Sequence, residues 1–266
     1  MSGIIKKYPF ISYVLLAYGF TWSFAIPLTL SKRGIVGIEL PHVLEMIAAF
    51  GPFIAALLIA KTLDGSDGVE RILNSLKQWR VSRVWLLFSI FSPVVLLFIA
   101  VIISWLGSGE QPQFNTEKSL YYLTLIGLFE LIVVGGMIQG FGEEPGWRGF
   151  AIPWLRKARG PLLASLALFP CWLFWHLPQF LGRPEFGLAQ FLGFAAGIFA
   201  ATMWLTLIHD KTQSILMAAL WHTTVNIARN IALAISLPMF LTFNTLIMLG
   251  GIGIVVYWVV NRPQEA

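Results

Sequence analysis

Residues 84–106 read VWLLFSIFSPVVLLFIAVIISWL, a run of apolar and small residues without one charge. A helix needs about 20 such residues to cross the hydrocarbon core of a bilayer. Working outward, similar stretches recur at roughly 9–30, 43–61, 120–142, 161–181, 188–208, 214–236 and 239–260. Backbone groups find no water inside the bilayer, so these stretches must be helices. An outer-membrane barrel would show short alternating strands instead. The expectation is an all-α polytopic membrane bundle of about eight transmembrane helices, forming one integral membrane domain over 1–266.

Composition agrees. Of 266 residues, 57% are apolar and 12% charged, with a mean hydropathy of +0.76; soluble domains carry about 25% charge. Disorder, coiled coil, collagen and a disulfide scaffold are excluded on the same ground. The single cysteine, Cys171, allows no internal disulfide and reads as an apolar core residue. The net charge of +5 does not call for nucleic acid, because Lys and Arg mark the cytoplasmic loops of membrane proteins. Twelve of them, from Lys6 and Lys7 through the 61–83 loop, Arg156, Lys157, Arg159 and Lys211 to Arg262, fall on one side of the bundle. Four (Lys32, Arg33, Lys118, Arg183) fall on the other. That asymmetry puts both termini in the cytoplasm. The first span follows Lys6 and Lys7 like a signal peptide, but lacks a small-x-small cleavage site and reads as retained. In the 62–83 loop, Asp64-Gly65-Ser66-Asp67-Gly68 predicts a turn before a short amphipathic surface helix.

Ionisable groups inside a bilayer are costly and point to function. Glu45, Glu130, Glu143, Glu144, Arg148, His176, His222 and Arg229 stand out, with Asn226 as the notable neutral residue. They concentrate in three segments: Gly142-Glu143-Glu144-Pro145-Gly146-Trp147-Arg148-Gly149, Trp172-Leu173-Phe174-Trp175-His176 and His222-Thr223-Thr224-Val225-Asn226. His222 and Asn226, four apart, share a helix face. Glu144 and Arg148 have the better order for an i,i+4 ion pair, while Glu143 points about 100° away. Pro145 cannot donate to Phe141, and Gly146 weakens the helix further.

Helical rise from the cytoplasmic side places Glu143 and Asn226 about 20 Å deep, His176 about 22 Å and His222 about 14 Å. All four can meet near mid-membrane. A continuous helix over 120–155 would run about 54 Å, well beyond a ~30 Å core. It must tilt strongly and break near Gly135-Gly136 or Pro145-Gly146, or else Glu143 lies shallower.

Together the three segments resemble the CPBP intramembrane proteases, the family of the type II CAAX prenyl endopeptidases and bacterial Abi proteins. The pattern is Glu-Glu-x-x-x-Arg, aromatic-x-x-x-His, then His-x-x-x-Asn or Asp, in that order on membrane helices. Here it is Glu143-Glu144-x-x-x-Arg148 with the continuation Trp147 to Phe150, then Trp172 to His176 with Trp where Phe is usual, then His222-x-x-x-Asn226. The resemblance covers 120–236 as a catalytic core. It implies an intramembrane endopeptidase acting on a membrane-associated or lipidated peptide or protein, in a bacterial or archaeal plasma membrane. Glu143 would activate water as general base, and His176 would help hold that water. His222 and Asn226 would stabilise the oxyanion, and Glu144 and Arg148 would orient the site or hold the substrate's carboxyl end. Elementary chemistry fits: an amide and an imidazole N–H in a low-dielectric pocket are good oxyanion donors. Two readings of cofactor use stay open. Glu143, His176 and His222 would make a three-ligand zinc site with an open position. The metal-free reading is slightly favoured, because no His-Glu-x-x-His helix is present.

Structural readings stand beside these. The Glu-Glu-x-x-x-Arg cluster can be an interfacial ion pair, His176 a core histidine, and His222 with Asn226 interhelical glue. Glu45 and Glu130 match no motif and read as structural. His42 and His209 read as interfacial, and Arg229 as snorkelling outward. Gly250-Gly251-Ile252-Gly253 suits close helix packing. A proton-coupled transporter is the first alternative function, although no inverted repeat of interrupted spans appears. A catalytically silent member acting as a partner-binding or immunity protein is the second. No Gly-x-Ser-x-Gly elbow and no aspartate within a span favours a serine or aspartyl protease. The expected partners are a peptide or membrane-protein substrate and the lipid bilayer, without nucleic acid.

Overall fold

The computed structural model describes residues 2–41, 43–109, 112–114, 116–183 and 186–261; His42 and Arg262 lie outside them. The described residues are helical without a strand. Eight longer helices are labelled in chain order. These are α1 Pro9–Lys32, α2 Gly51–Leu76, α3 Arg83–Ser108, α4 Leu125–Arg156, α5 Pro161–Trp175, α6 Leu188–Thr212, α7 Ile215–Ile235 and α8 Leu237–Val260. Six are long and apolar enough to cross a membrane, fewer than the eight expected. The shortfall falls on α5, which has 15 residues, and on α7. The sequence of α7 carries His222, Thr223, Thr224, Asn226, Arg229 and Asn230, and most of that helix is buried. Helix α7 lies inside the bundle, where a polar helix needs no lipid-facing surface, whereas α5 is apolar, exposes Leu163, Leu166 and Phe174, and falls short by length. The chain is an integral membrane protein.

Gly65, with φ 67° and ψ −143°, interrupts α2 at the expected turn. The chain doubles back so closely that a Cβ on Gly68 would lie 2.6 Å from the Ala60 carbonyl oxygen. Beyond the turn, Ile72 is buried and Arg71, paired with Asp64, is exposed. The expected two-sided surface helix is present.

The overlong helix at 120–155 resolves in a way the sequence did not specify. It starts at Leu125, where Thr124 caps it by accepting from the Gly127 N–H at 3.0 Å. It then runs unbroken to Arg156 but widens into π-helix at Glu130–Met137 and at Trp147–Ala151. The first wide turn contains Gly135-Gly136, and the second directly follows Pro145-Gly146. The two expected weak points thus become π-bulges, a distortion often found at functional sites. Between them, α4 is pressed from two sides. A Cβ on Gly140 would lie 2.5 Å from Thr223 Oγ1 and 2.6 Å from the Ala219 carbonyl oxygen of α7. One on Gly146 would lie 2.5 Å from backbone atoms of Pro52 in α2. Only glycine permits both approaches, so Glu143 and Glu144 are held between two helices.

The first spans, which carry no motif, brace the site from behind. Trp22 Nε1–H donates to the Trp175 carbonyl at 3.0 Å, and Tyr18 OH to the Cys171 carbonyl at 2.5 Å. Trp175 Nε1–H in turn reaches Thr21 Oγ1 at 2.9 Å, while the Thr21 hydroxyl donates to the Ala48 carbonyl at 2.7 Å. These bonds satisfy carbonyls near the end of α5, where His176 caps the helix. Cys171 is partly buried, its Sγ 3.6 Å from the Ala167 carbonyl. In the glycine-rich stretch of α8, Gly251 approaches Ala200 and Gly250 approaches Trp204, whereas Gly253 meets nothing within 4 Å.

Candidate active site

Glu143 and Glu144 begin one turn before the second π-bulge and diverge as their spacing requires. Glu144 points into the protein. Its Oε1 accepts from Arg148 Nη1 at 3.0 Å and from His222 Nδ1 at 2.7 Å. Glu144 and Arg148 are both 0% exposed. Glu143 points to the other side, where Trp172 Nε1–H donates to its Oε2 at 2.7 Å.

Trp172 joins all three segments. Its indole N–H holds Glu143, its carbonyl oxygen lies 2.9 Å from His176 Nδ1, and its ring meets His222 edge-on with centroids 5.6 Å apart. The Arg148 guanidinium lies over the same ring at 4.5 Å. Since a carbonyl can only accept, His176 carries its proton on Nδ1 and is left with Nε2 as an acceptor. Asn226 donates one N–H to Gln139 Oε1 at 2.8 Å; an amide nitrogen has two.

These side chains border two adjoining cavities. The larger, about 210 Å³, is lined by Glu143, Gln139, His176 and Arg229, with Lys32, Glu45 and Arg183 at its mouth. The smaller, about 60 Å³, is lined by Trp172, His222 and Asn226. Gln139, His176, Phe194 and Arg229 belong to both. Phe180 and Phe194, with centroids 4.0 Å apart, form an aromatic wall against the His176 ring.

The six residues of the three motifs, Glu143, Glu144, Arg148, His176, His222 and Asn226, are thus brought to one place, although Glu144 and Arg148 stand behind the cavities and do not line them. Four placements differ from expectation. Trp172 is a hydrogen-bond donor to Glu143, whereas its place in the motif calls only for a bulky aromatic ring. Gln139 joins the site; it lies four residues before Glu143, a spacing that shares a face. Arg229 does not leave for the outer surface but lines both cavities, three residues after Asn226 and seven after His222. His209 is buried, not interfacial, and lies within electrostatic reach of Glu144 and Arg148. Its Nδ1, like Glu144 Oε2 and Arg148 Nε and Nη2, has no partner among the described residues. Glu45 pairs with Lys32 at the cavity mouth, and Glu130 is exposed at the start of the first π-bulge, away from the cavities.

The bonds of the three residues a zinc site would draw on use Glu143 Oε2, His176 Nδ1 and His222 Nδ1, which leaves Glu143 Oε1 and both Nε2 atoms open. Among the described residues, no three His, Cys, Asp or Glu side chains are placed to hold a metal ion.

Comparison with known proteins points the same way as the motifs. Residues 125–228 match the family model "Rce1-like: Type II CAAX prenyl endopeptidase Rce1-like". A protein of Methanococcus maripaludis named CAAX prenyl protease 2 is 27% identical over 190 residues, which cover 66% of this chain and 67% of the relative. The matched residues contain Glu143, Glu144, Arg148, His176, His222 and Asn226. Over this segment the chain is similar to the Rce1-like type II CAAX prenyl endopeptidases.

Proposed function

We propose that the chain is an intramembrane endopeptidase that hydrolyses a peptide bond of a membrane-associated substrate with water activated by Glu143. Similarity to the type II CAAX prenyl endopeptidases over residues 125–228 supports the endopeptidase class. The observation that carries the mechanism is that Glu143 and His176 line one cavity. Trp172 occupies Glu143 Oε2 and so orients the carboxylate.

In this reading a water molecule lies between Glu143 and His176 Nε2, which accepts one of its hydrogen bonds. Glu143 takes the water's other proton as the oxygen adds to the scissile carbonyl. The negative charge that forms on the carbonyl oxygen is met by the second N–H of Asn226 and by His222. For that task His222 carries protons on both nitrogens, donating to Glu144 from Nδ1 and to the oxyanion from Nε2. Glu143 then delivers its proton to the leaving nitrogen, and the C–N bond breaks to give a carboxylic acid and an amine. Complete burial of Glu144 and Arg148 favours a positioning role over contact with the substrate's carboxyl end. Arg148 holds Glu144, and Glu144 holds the His222 ring.

Loop charges assign the cytoplasmic side to the termini, and the cavity mouth at Lys32, Glu45 and Arg183 is then on the opposite face. The test of function is cleavage of a quenched fluorescent peptide library by the purified chain, with product masses read to locate the broken bond. Release of peptide fragments by wild type, with or without a zinc chelator, supports the reading. Activity that a chelator abolishes and zinc restores contradicts the metal-free mechanism, and no cleavage contradicts the endopeptidase.

A further inference from the structure

Arg229 is a charged residue of the cavity wall that the mechanism leaves without a task. It lies on α7, on the His222 and Asn226 face, and lines both cavities. Its guanidinium has no hydrogen bond or ion pair with any described residue. The other charges nearby do not supply one. Glu45 is taken by Lys32. Glu143 is turned toward Trp172. The neighbour within electrostatic reach is a second cation, Arg183, whose guanidinium sits 5.3 Å over the Phe180 ring. Arg33 donates to the Leu181 and Arg183 carbonyls, at 2.6 and 3.0 Å, and so holds that loop against the cavity mouth.

An unpaired guanidinium inside a membrane protein is costly, and the cost is offset when an anion enters its reach. Its fixed fork of donors matches a carboxylate. Resting on the endopeptidase reading above, we infer that Arg229 is a specificity-determining residue that binds a carboxylate of the substrate. Arg148, the cation inside the motif, is wholly buried behind Trp172 and cannot meet a ligand in the cavity. Helical rise from the middle of the His222–Asn226 pair to Arg229 is about 7 Å. An extended peptide covers about 3.3–3.6 Å per residue, so the carboxylate lies within about three residues of the scissile bond. Either the substrate's free C-terminus or a Glu or Asp side chain supplies this chemistry.

The test starts from a peptide that wild type cleaves and varies only its charge. Three forms are compared: a free C-terminal acid, the C-terminal amide, and the amide with an internal Glu in place of Gln near the cleaved bond. Wild type is expected to favour a carboxylate form by about tenfold or more in kcat/KM, expressed mainly in KM. Preference for the free acid identifies the C-terminus, and preference for internal Glu identifies a side chain. In Arg229→Gln the preference collapses toward one, and Arg229→Lys retains part of it. The wild-type comparison needs no variant to fold. Equal cleavage of all three forms by wild type, or an unchanged preference in a folded Arg229→Gln, overturns the inference and leaves the endopeptidase standing. Failure of wild type to cleave any peptide overturns both.

Discussion

Trp172 donates its indole N–H to Glu143 at 2.7 Å, and its ring at the same time carries the Arg148 guanidinium at 4.5 Å. One side chain therefore sets both the carboxylate that faces the cavity and the cation behind it. Trp172→Phe, the residue usual in the family pattern, keeps the ring and deletes the donor. Hydrogen bonds to charged groups contribute about 1.5–3 kcal/mol, so kcat is expected to fall about tenfold to a hundredfold with KM little changed. Steady-state kinetics on a cleaved peptide check this, and unaltered kcat contradicts an orienting role for the indole.

Glu144 and Arg148 form an ion pair without solvent contact. Removing one partner strands the other charge, at a cost of about 3–5 kcal/mol. Arg148→Met should lower the unfolding temperature in detergent well below that of wild type. The double variant Glu144→Gln/Arg148→Met should recover part of the loss, since no lone charge remains. A double variant less stable than either single one contradicts this account.

Close helix approach makes a sharper contrast. Gly140→Ala puts a methyl group 2.6 Å from a backbone oxygen of α7, whereas Gly253→Ala meets nothing within 4 Å. Forced repacking costs about 1–3 kcal/mol. The first substitution should cut both thermal stability and activity, and the second neither. Similar unfolding temperatures for the two variants would falsify the packing argument.

Sidedness is testable in intact cells. In a Cys171→Ser background, Ile35→Cys lies on the cavity-mouth side of the bundle and Gly160→Cys on the side of the termini; both positions are exposed. With the termini in the cytoplasm, a membrane-impermeant thiol reagent labels the first in whole cells and the second only after lysis. The reverse pattern places the cavity mouth in the cytoplasm.

Most of the bundle was legible because the bilayer imposes one rule, a long apolar helix for each crossing, and residues 84–106 obey it without exception. The rule fails for α7, whose surroundings are protein, and for α5, which is apolar but only 15 residues long. Convergence of Glu143, His176, His222 and Asn226 was legible from helical rise along segments with known ends. Trp172 as donor was not, because a motif position marked aromatic conceals whether the ring bears an N–H. Arg229 was misplaced for a physical reason: snorkelling is the usual outcome for an arginine near a helix end, and only the folded cavity offers it an alternative. The π-bulges were half legible. Gly135-Gly136 and Pro145-Gly146 mark where the helix is weak, but packing against α2 and α7 decides that it widens and does not break.

The most direct test of the central claim is Glu143→Gln, which keeps the shape of the side chain and an oxygen for the Trp172 N–H but removes the base. The variant and wild type are purified in parallel, shown to have the same unfolding temperature, and compared on one cleaved peptide. Loss of a general base that also delivers the proton is expected to lower kcat by about 10²–10⁴-fold. A folded Glu143→Gln that cleaves within a few-fold of wild type contradicts the assignment of Glu143 and the mechanism built on it.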